Sequence, residues 1–354
     1  MATFVQEIEI LNIHKELSKI WTEEQGLKKT RATLFNLIVY LPSSERSELF
    51  DSIVNNLVNK FPCRLLLITC DDKSRDNKLS ATVSAHTLGT GNLSIYCEII
   101  RIEVSGKYKE RVPFLVVPNL QADLPVYLLW TEDPLMQNPL FSKLAPIATR
   151  IIFDAESTAN LQKYSQTVLD LEKQFKCEVG DLNWSSLAPW RKMLAEIYND
   201  PLMLNHLQSC SEIKITYNKK ESPLHPHTEI PAAYLQAWLA SRLDWRLKSH
   251  LNYLNGKEKV KVSLFTTQVD LPSGAIVSLE IISKGTGGHL RCKRDANSVR
   301  VHAQFSDKEK CELPVCHILS GTKEGQEIIN EIFYPSSKEH FSAALTMLSN
   351  TKWK

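Results

Sequence analysis

The sequence is short of glycine, with 12 in 354 residues, which argues against a fibrous or loop-dominated chain. An excess of charge is missing too. Lysine and arginine number 42, aspartate and glutamate 40, and the formal net charge is +2. That balance offers no electrostatic footprint for nucleic acid and no polybasic stretch for a membrane surface. No apolar run approaches the roughly 18 residues of a membrane-crossing helix. The longest, 65–70 and 112–118, suit buried strands or a short helix. Glu7 and Glu9 stand where a secretion signal would be apolar, and no basic segment precedes them. The 8 cysteines are scattered, which fits an intracellular chain and not a disulfide framework. Together these absences point to a soluble, cytoplasmic protein.

What is present is the composition of a globular chain. Hydrophobic residues make up 43% and charged ones 23%, and the length suits two domains. A helix is expected after Asn12, with Leu17, Ile20, Trp21 and Leu27 at helical spacing. A strand over 32–41 stops at Pro42-Ser43-Ser44. A helix then runs to about Lys60 with Leu49, Ile53, Leu57 and Val58 on its buried stripe, and 63–70 is a second strand. Near-continuous apolar strands in β-α-β order read as a parallel pair buried on both faces. Residues 79–87 and 93–104 alternate around Gly89-Thr90-Gly91-Asn92, as an antiparallel hairpin does. Pro113 and Pro118 argue against a central strand over 111–120. A strand at 125–131, a helix at 141–148, a strand at 150–154 and a helix at 157–176 follow. The reading is an N-terminal α/β domain with a mixed sheet, residues 1–180, and a C-terminal α+β domain, residues 181–354. In the second half, helices are expected at 187–199 and 231–254. Strands follow at 260–269, 275–283, 290–293, 299–305 and 313–319, and closing helices at 323–332 and 338–348.

Motifs that carry chemistry are sparse. There is no Walker A sequence, no Gly-x-Ser-x-Gly elbow, no His-Glu-x-x-His and no paired-carboxylate pattern. Gly285-Thr286-Gly287-Gly288 leads to a strand-like run and reads as a hairpin turn, because a phosphate cradle needs a helix N-terminus. His225-Pro226-His227-Thr228-Glu229 could gather two imidazoles and a carboxylate, but its prolines mark a solvated loop and no further ligand is near, so no metal is expected. Cys292, Cys311 and Cys316 are candidate redox thiols. The expected helix over 233–251 sets Leu235, Trp238, Leu239 and Trp245 on one face with Arg242 and Arg246 among them. Such guanidinium groups are bridged to carboxylates, stacked on indoles, or offered to an anion or acidic partner. Asp181-Leu182-Asn183-Trp184 and Leu187-Ala188-Pro189-Trp190-Arg191 read as capped helix starts, with Trp184 and Trp190 large enough to pin two domains together. The hairpin residues Arg291, Lys293, Arg294 and Arg300 form a basic cluster that is either a solvated face or a contact surface.

Several of these segments fall into one known pattern. Arg31-Ala32-Thr33 through Tyr40, Pro62-Cys63-Arg64, Asp181-Leu182-Asn183-Trp184 with Trp190, and Trp238-Leu239-Ala240-Ser241-Arg242-Leu243 with Trp245-Arg246 keep the order of one bacterial family. Over residues 30–250, with a weaker continuation through 285–290, the chain resembles the OpcA family of glucose-6-phosphate dehydrogenase assembly proteins. The resemblance implies a non-enzymatic regulator that binds glucose-6-phosphate dehydrogenase, favours its active oligomer and raises its apparent affinity for substrate. The partner supplies NADP and the chemistry; no cofactor is implied for the chain itself. Trp238, Arg242, Trp245, Arg246, Asp181, Asn183, Trp184, Trp190, Arg31 and Arg64 become candidate partner-binding or structural residues. The cyanobacterial pattern carries cysteines around a Gly-Gly turn, linked to thioredoxin control; Ser283 and His289 stand at the corresponding positions here. The alternative is a sugar-phosphate- or nucleotide-binding α/β enzyme with Arg31, Arg64 and the Arg242/Arg246 pair as phosphate clamps.

Overall fold

The computed structural model describes residues 6–8, 13–24, 30–43, 46–74, 76–88, 95–220, 222, 224–296, 298–320, 325–335 and 337–352. The chain divides into two compact units, residues 1–157 with 171–180, and residues 158–170 with 181–354.

The first unit opens with β1 (Gln6–Ile8), α1 (Ile13–Glu24) and β2 (Thr30–Arg31). Its core strands are β3 (Asn36–Pro42), β4 (Arg64–Asp71), β5 (Leu79–Leu88) and β6 (Ile95–Ser105), with α2 (Ser47–Val58) between β3 and β4. Then come α3 (Val112–Val116), β7 (Val126–Trp130), α4 (Pro139–Leu144), β8 (Arg150–Phe153), α5 (Leu161–Phe175) and β9 (Glu178–Asp181). The turn expected at 89–92 and Leu27 of the first helix lie outside the described residues.

The sheet order is β1-β5-β6-β4-β3-β7-β8-β9, with β2 on β6. Neighbours from β6 through β4, β3 and β7 to β8 are parallel, while β5 runs antiparallel to β6. Both the β-α-β pair and the hairpin expected from sequence are therefore present. By order of appearance the parallel strands lie third, second, first, fourth, fifth, which is the doubly wound arrangement. The first six positions of β3 are buried, because helices cover both faces of such a sheet. Asn36 at its start is fully buried and satisfied. Its Nδ2 donates to the carbonyls of Gln121 (3.0 Å) and Leu124 (3.3 Å), and its Oδ1 accepts from the Gln121 N–H at 2.7 Å. These bonds tie the approach to β7 onto the start of β3. The proline-bearing segment 111–120 is not a strand: Val112–Val116 is helical, with a proline in its first turn.

The second unit takes α6 (Leu182–Ser186), α7 (Ala188–Ile197) and α8 (Pro201–Gln208), then β10 (Glu212–Asn218) and α9 (Ile230–Arg242). Seven strands follow: β11 (Arg246–Ser249), β12 (Asn252–Asn255), β13 (Glu258–Thr267), β14 (Ile276–Ser283), β15 (Gly288–Arg294), β16 (Arg300–Ser306) and β17 (Val315–Ile318). Helices α10 (Gln326–Phe333) and α11 (Lys338–Ser349) close the chain. The sheet order is β11-β12-β13-β10-β14-β15-β16-β17. Strand β10, which the sequence reading passed over, sits inside this sheet, parallel to β13 and antiparallel to β14.

The helix expected to run to about residue 254 ends at Arg242 instead. Asp244 adopts a left-handed backbone, φ 51°, and the Trp245 N–H reaches back to the Ala240 carbonyl at 2.9 Å. That is the six-to-one closure of a Schellman end, made here with aspartate where glycine is usual. The residues beyond it form the β11–β12 hairpin. Gly285-Thr286-Gly287-Gly288 is indeed the turn between β14 and β15. Gly287 has φ 74°, and a Cβ on Gly288 would run into the His206 ring.

Candidate functional site

Ligands of doubly wound sheets bind outside the carboxyl ends of the strands, where the strand order reverses. Here that place lies between β3 and β7. Tyr40 and Trp130 are register partners on these strands, and their rings stack at 4.0 Å with an interplanar angle of 7°. Phe141 packs edge-on against Trp130 at 4.9 Å. Asn138 Nδ2 donates to the Tyr40 hydroxyl at 2.9 Å and to Glu132 Oε2 at 2.8 Å. Its Oδ1 caps α4 by accepting from the Leu140 N–H. On the β4 side, Cys70 Sγ lies 3.5 Å from Asp72 Oδ1, and Asp72 pairs with Lys109.

Burial, reinforced by neighbouring Cys70 and Glu132, pushes the Tyr40 hydroxyl far up, and burial pushes the Cys70 thiol up to about 11. The Glu132 carboxyl is likewise raised by burial, against the opposing pull of Asn138. Aromatic rings and acidic groups thus line the place where a dinucleotide phosphate would need backbone N–H groups. The segment joining β3 to α2, residues 43–46, contains no glycine in its sequence, so it offers no Gly-rich approach to a phosphate. Arg46, at the start of α2, is engaged by Asp154 at 2.6 Å.

The second constellation belongs to the second unit. Asp181 Oδ1 accepts from the Trp184 N–H at 2.9 Å and caps α6, while its Oδ2 accepts from the Tyr164 hydroxyl at 2.6 Å. Trp184 is fully buried, with Tyr234 and Phe341 against its ring at 5.9 Å and 5.3 Å. The Arg191 guanidinium lies 3.8 Å above the same indole, and its Nη1 donates to the Trp184 carbonyl at 2.6 Å. A desolvated cation over tryptophan contributes about 2 kcal/mol. Burial lowers the Arg191 guanidinium to about 9, with Glu331 pulling the other way. The Asp-Leu-Asn-Trp segment is therefore a cap joined to a core. Trp190 is buried beside it, and Asn183 is half-buried.

The helix arginines are placed differently from the sequence expectation. Arg242 is exposed in the last turn of α9, where a cation suits the helix dipole, and Arg246 is exposed on β11. They do not share a helix face with Trp245, because the Schellman end intervenes. Trp238 is half-buried; Trp245 is buried, 5.9 Å from the Tyr253 ring. The Tyr253 hydroxyl donates to Gln236 Oε1 at 2.6 Å. Arg242 and Arg191 both lower the pKa of His340 on α11, after burial as the larger cause.

Arg64 is buried at the start of β4, paired with Glu98 and donating to the Asn119 carbonyl at 2.7 Å. Its guanidinium is a structural tie, not an open clamp. The Arg31 side chain lies outside the described residues. Cys292 is buried, and burial pushes its thiol up to about 12. Cys311 and Cys316 are exposed. They pair opposite Ser306 and His302 of β16, a separation of roughly 13 Å along the strand at ~3.3 Å per residue. A disulfide tolerates ~7 Å between Cα atoms, so these two thiols are not set for one. Among the described residues, no three His, Cys, Asp or Glu side chains gather to hold a metal, and no helix is long and apolar enough to cross a membrane. Sequence reasoning missed Tyr40 with Trp130, Glu132 and Asn138, and gave Arg191 no role. The available signal was an aromatic residue near the end of two apolar strands.

Residues 54–170 match the family model described as glucose-6-phosphate dehydrogenase subunit N-terminal domain, and residues 177–318 match the corresponding C-terminal domain. A Nostoc punctiforme protein named as OxPP cycle protein OpcA is 30% identical over 203 residues, 56% of this chain and 41% of that protein. A Synechococcus elongatus protein of the same name is 24% identical over 322 residues, 88% of this chain and 69% of that one. The aligned part of the chain thus spans 41% of the Nostoc relative's length. Among solved structures, a super-repressor mutant of Gal80p from Saccharomyces cerevisiae is similar in fold, with TM-score 0.50 at 9% identity, covering 88% of this chain and 93% of that one. A dehydrogenase from Chromobacterium violaceum reaches TM-score 0.47 at 12% identity, covering 90% of this chain and 93% of that one.

Proposed function

The chain belongs to the OpcA family of glucose-6-phosphate dehydrogenase assembly proteins, and from that premise we propose that it is a non-catalytic partner of a glucose-6-phosphate dehydrogenase. It binds one assembly state of the enzyme better than the others, and so shifts the population toward that state. The observation that carries this reading is the pair of family matches, in order, along both halves of the chain. The geometry of the first unit supports it. Stacked Tyr40 and Trp130, with Glu132 and Asn138 bonded around them, occupy the reversal point of the doubly wound sheet.

The alternative, an enzyme with arginine phosphate clamps, draws no support from Arg64, Arg242 or Arg246. Arg64 is tied to Glu98, and Arg242 and Arg246 sit on separate elements. The test is co-purification with the cognate dehydrogenase, together with its rate at low glucose 6-phosphate, with and without this protein. Association and a higher rate at low substrate are expected. No association, or turnover of a sugar phosphate by the isolated chain, would reject the proposal.

A further inference from the structure

Burial alternates along β10, β15 and β16 of the second sheet, and one face stays open. Register sets its outward residues in rows. One row crosses from Phe265 through Thr216, Ser278 and Lys293 to His302 and Cys316. The next crosses from Ser263 through Lys214, Glu280 and Arg291 to Gln304.

This face is basic. Lys214, Lys259, Lys261, Arg291, Lys293 and Arg300 stand against Glu212, Glu280 and Asp295, a larger excess than the +2 of the whole chain. The acids are engaged on the face itself. Glu280 holds Arg291 at 3.2 Å and His289 at 3.3 Å, Asp295 meets His302 at 3.1 Å, and Glu212 lies 3.9 Å from Lys214. Lys259, Lys261, Lys293 and Arg300 are exposed and have no acidic partner among the described residues. Phe265 (47% exposed) and Ile318 (71%) add apolar contact area to the same face. Arg294, expected with the basic cluster, is instead turned inward and donates from Nε to the Ser298 carbonyl at 2.8 Å.

The dimensions suit a protein interface. The seven spacings between eight strands at ~4.8 Å and about seven residues at ~3.3 Å give roughly 780 Å², against ~800 Å² per partner in a standard interface. Arginine and aromatic side chains at such a surface are typical of interfaces, and interleaved acids suit a patterned protein surface better than a uniform polyanion.

We propose that the open face of the second sheet docks against a flat, acidic protein surface. This rests on the reading above and names the side of the molecule that makes the contact. The experiment measures association of the full chain with the cognate dehydrogenase at two salt concentrations. Wild type is compared with Lys261→Glu/Lys293→Glu, with the milder Lys261→Ala/Lys293→Ala, and with Lys143→Glu on α4 of the first unit. The reversal pair is expected to weaken binding at least tenfold, chiefly by slowing association, with unchanged circular dichroism. The alanine pair should weaken it severalfold and flatten the salt dependence. Lys143→Glu should bind as wild type does. Wild-type binding that neither pair alters overturns the docking face and leaves the proposed function standing; no binding by wild type overturns that function. Equal loss with Lys143→Glu, or tighter binding of wild type to polyuridylic acid than to the dehydrogenase, also overturns the assignment.

Discussion

Strand β4 of the first sheet is buried at all but two of its positions, whereas β15 of the second alternates inward and outward at every step. The central strands of the first sheet are buried along nearly their whole length, and its polar groups are turned upon one another: Arg64 on Glu98, Asn36 on the Gln121 loop, Asn138 on Tyr40 and Glu132. The second sheet turns one face inward and leaves the other for water or for a partner. In this chain the doubly wound unit is therefore the closed one, and the other unit keeps a sheet face exposed.

The largest test of this contrast lies in the first sheet. Glu98→Ala leaves the Arg64 guanidinium buried without its carboxylate, and should cost about 3–5 kcal/mol, read as a lower urea midpoint. Thiol labelling sharpens the contrast next. Cys97 and Cys70 of the first sheet are pushed up to about 11, and Cys292, on the inner face of the second, to about 12. An ordinary thiol sits near 8.5, so Cys292 should react with an aromatic disulfide reagent on the order of a thousandfold more slowly at pH 8. Exposed Cys316, whose register partner is the outward-facing His302, should label at once. Mass spectrometry of partly labelled protein would separate the classes, and equal labelling of Cys292 and Cys316 would contradict a one-sided sheet.

Adjacent residues of β15 give a smaller and cleaner comparison. Leu290→Ala, inward, should cost about 2–4 kcal/mol, while Arg291→Ala, outward, should stay within about 0.5 kcal/mol.

Histidine titration separates the two units as well. His86 on β5 is lowered by burial alone, but His340 is lowered by burial and by Arg242 and Arg191, with Glu339 opposing. An imidazole lowered in the folded state contributes stability that is complete above pH about 6.5 and is lost as the pH falls below it. Arg242→Gln should raise the His340 pKa and leave His86 unmoved in an NMR titration. A joint shift would mean that Arg242 does not act locally.

Much of the architecture was legible because burial writes itself into local pattern. Continuous apolar runs gave β3, β4 and β7, alternation gave β5 and β6, and strand-like runs gave β14 and β16. Strand order was not legible, since nothing in residues 36–42 says that β7 will lie beside them 90 positions later. The end of α9 escaped for a chemical reason: Asp244 closes it in a conformation usually marked by glycine. The cap at Asp181 was legible in the sequence, but the Tyr164 hydroxyl on its second oxygen and the Arg191 guanidinium over Trp184 come from residues that the segment itself does not name. The basic cluster around β15 was visible, but only register shows that Arg291 and Lys293 share a side while Arg294 turns away.

Helix α5 gives its first turns to one unit and its last to the other. Genetic dissection of this chain is constrained by that wiring. A fragment beginning at Asp181 would keep the carboxylate and discard the Tyr164 phenol it accepts from, while its complement would keep the phenol without that carboxylate. A single cut within or just after α5 separates residues that belong to one compact unit, so a fragment built on the second unit has to carry residues 158–170 along with those after 180.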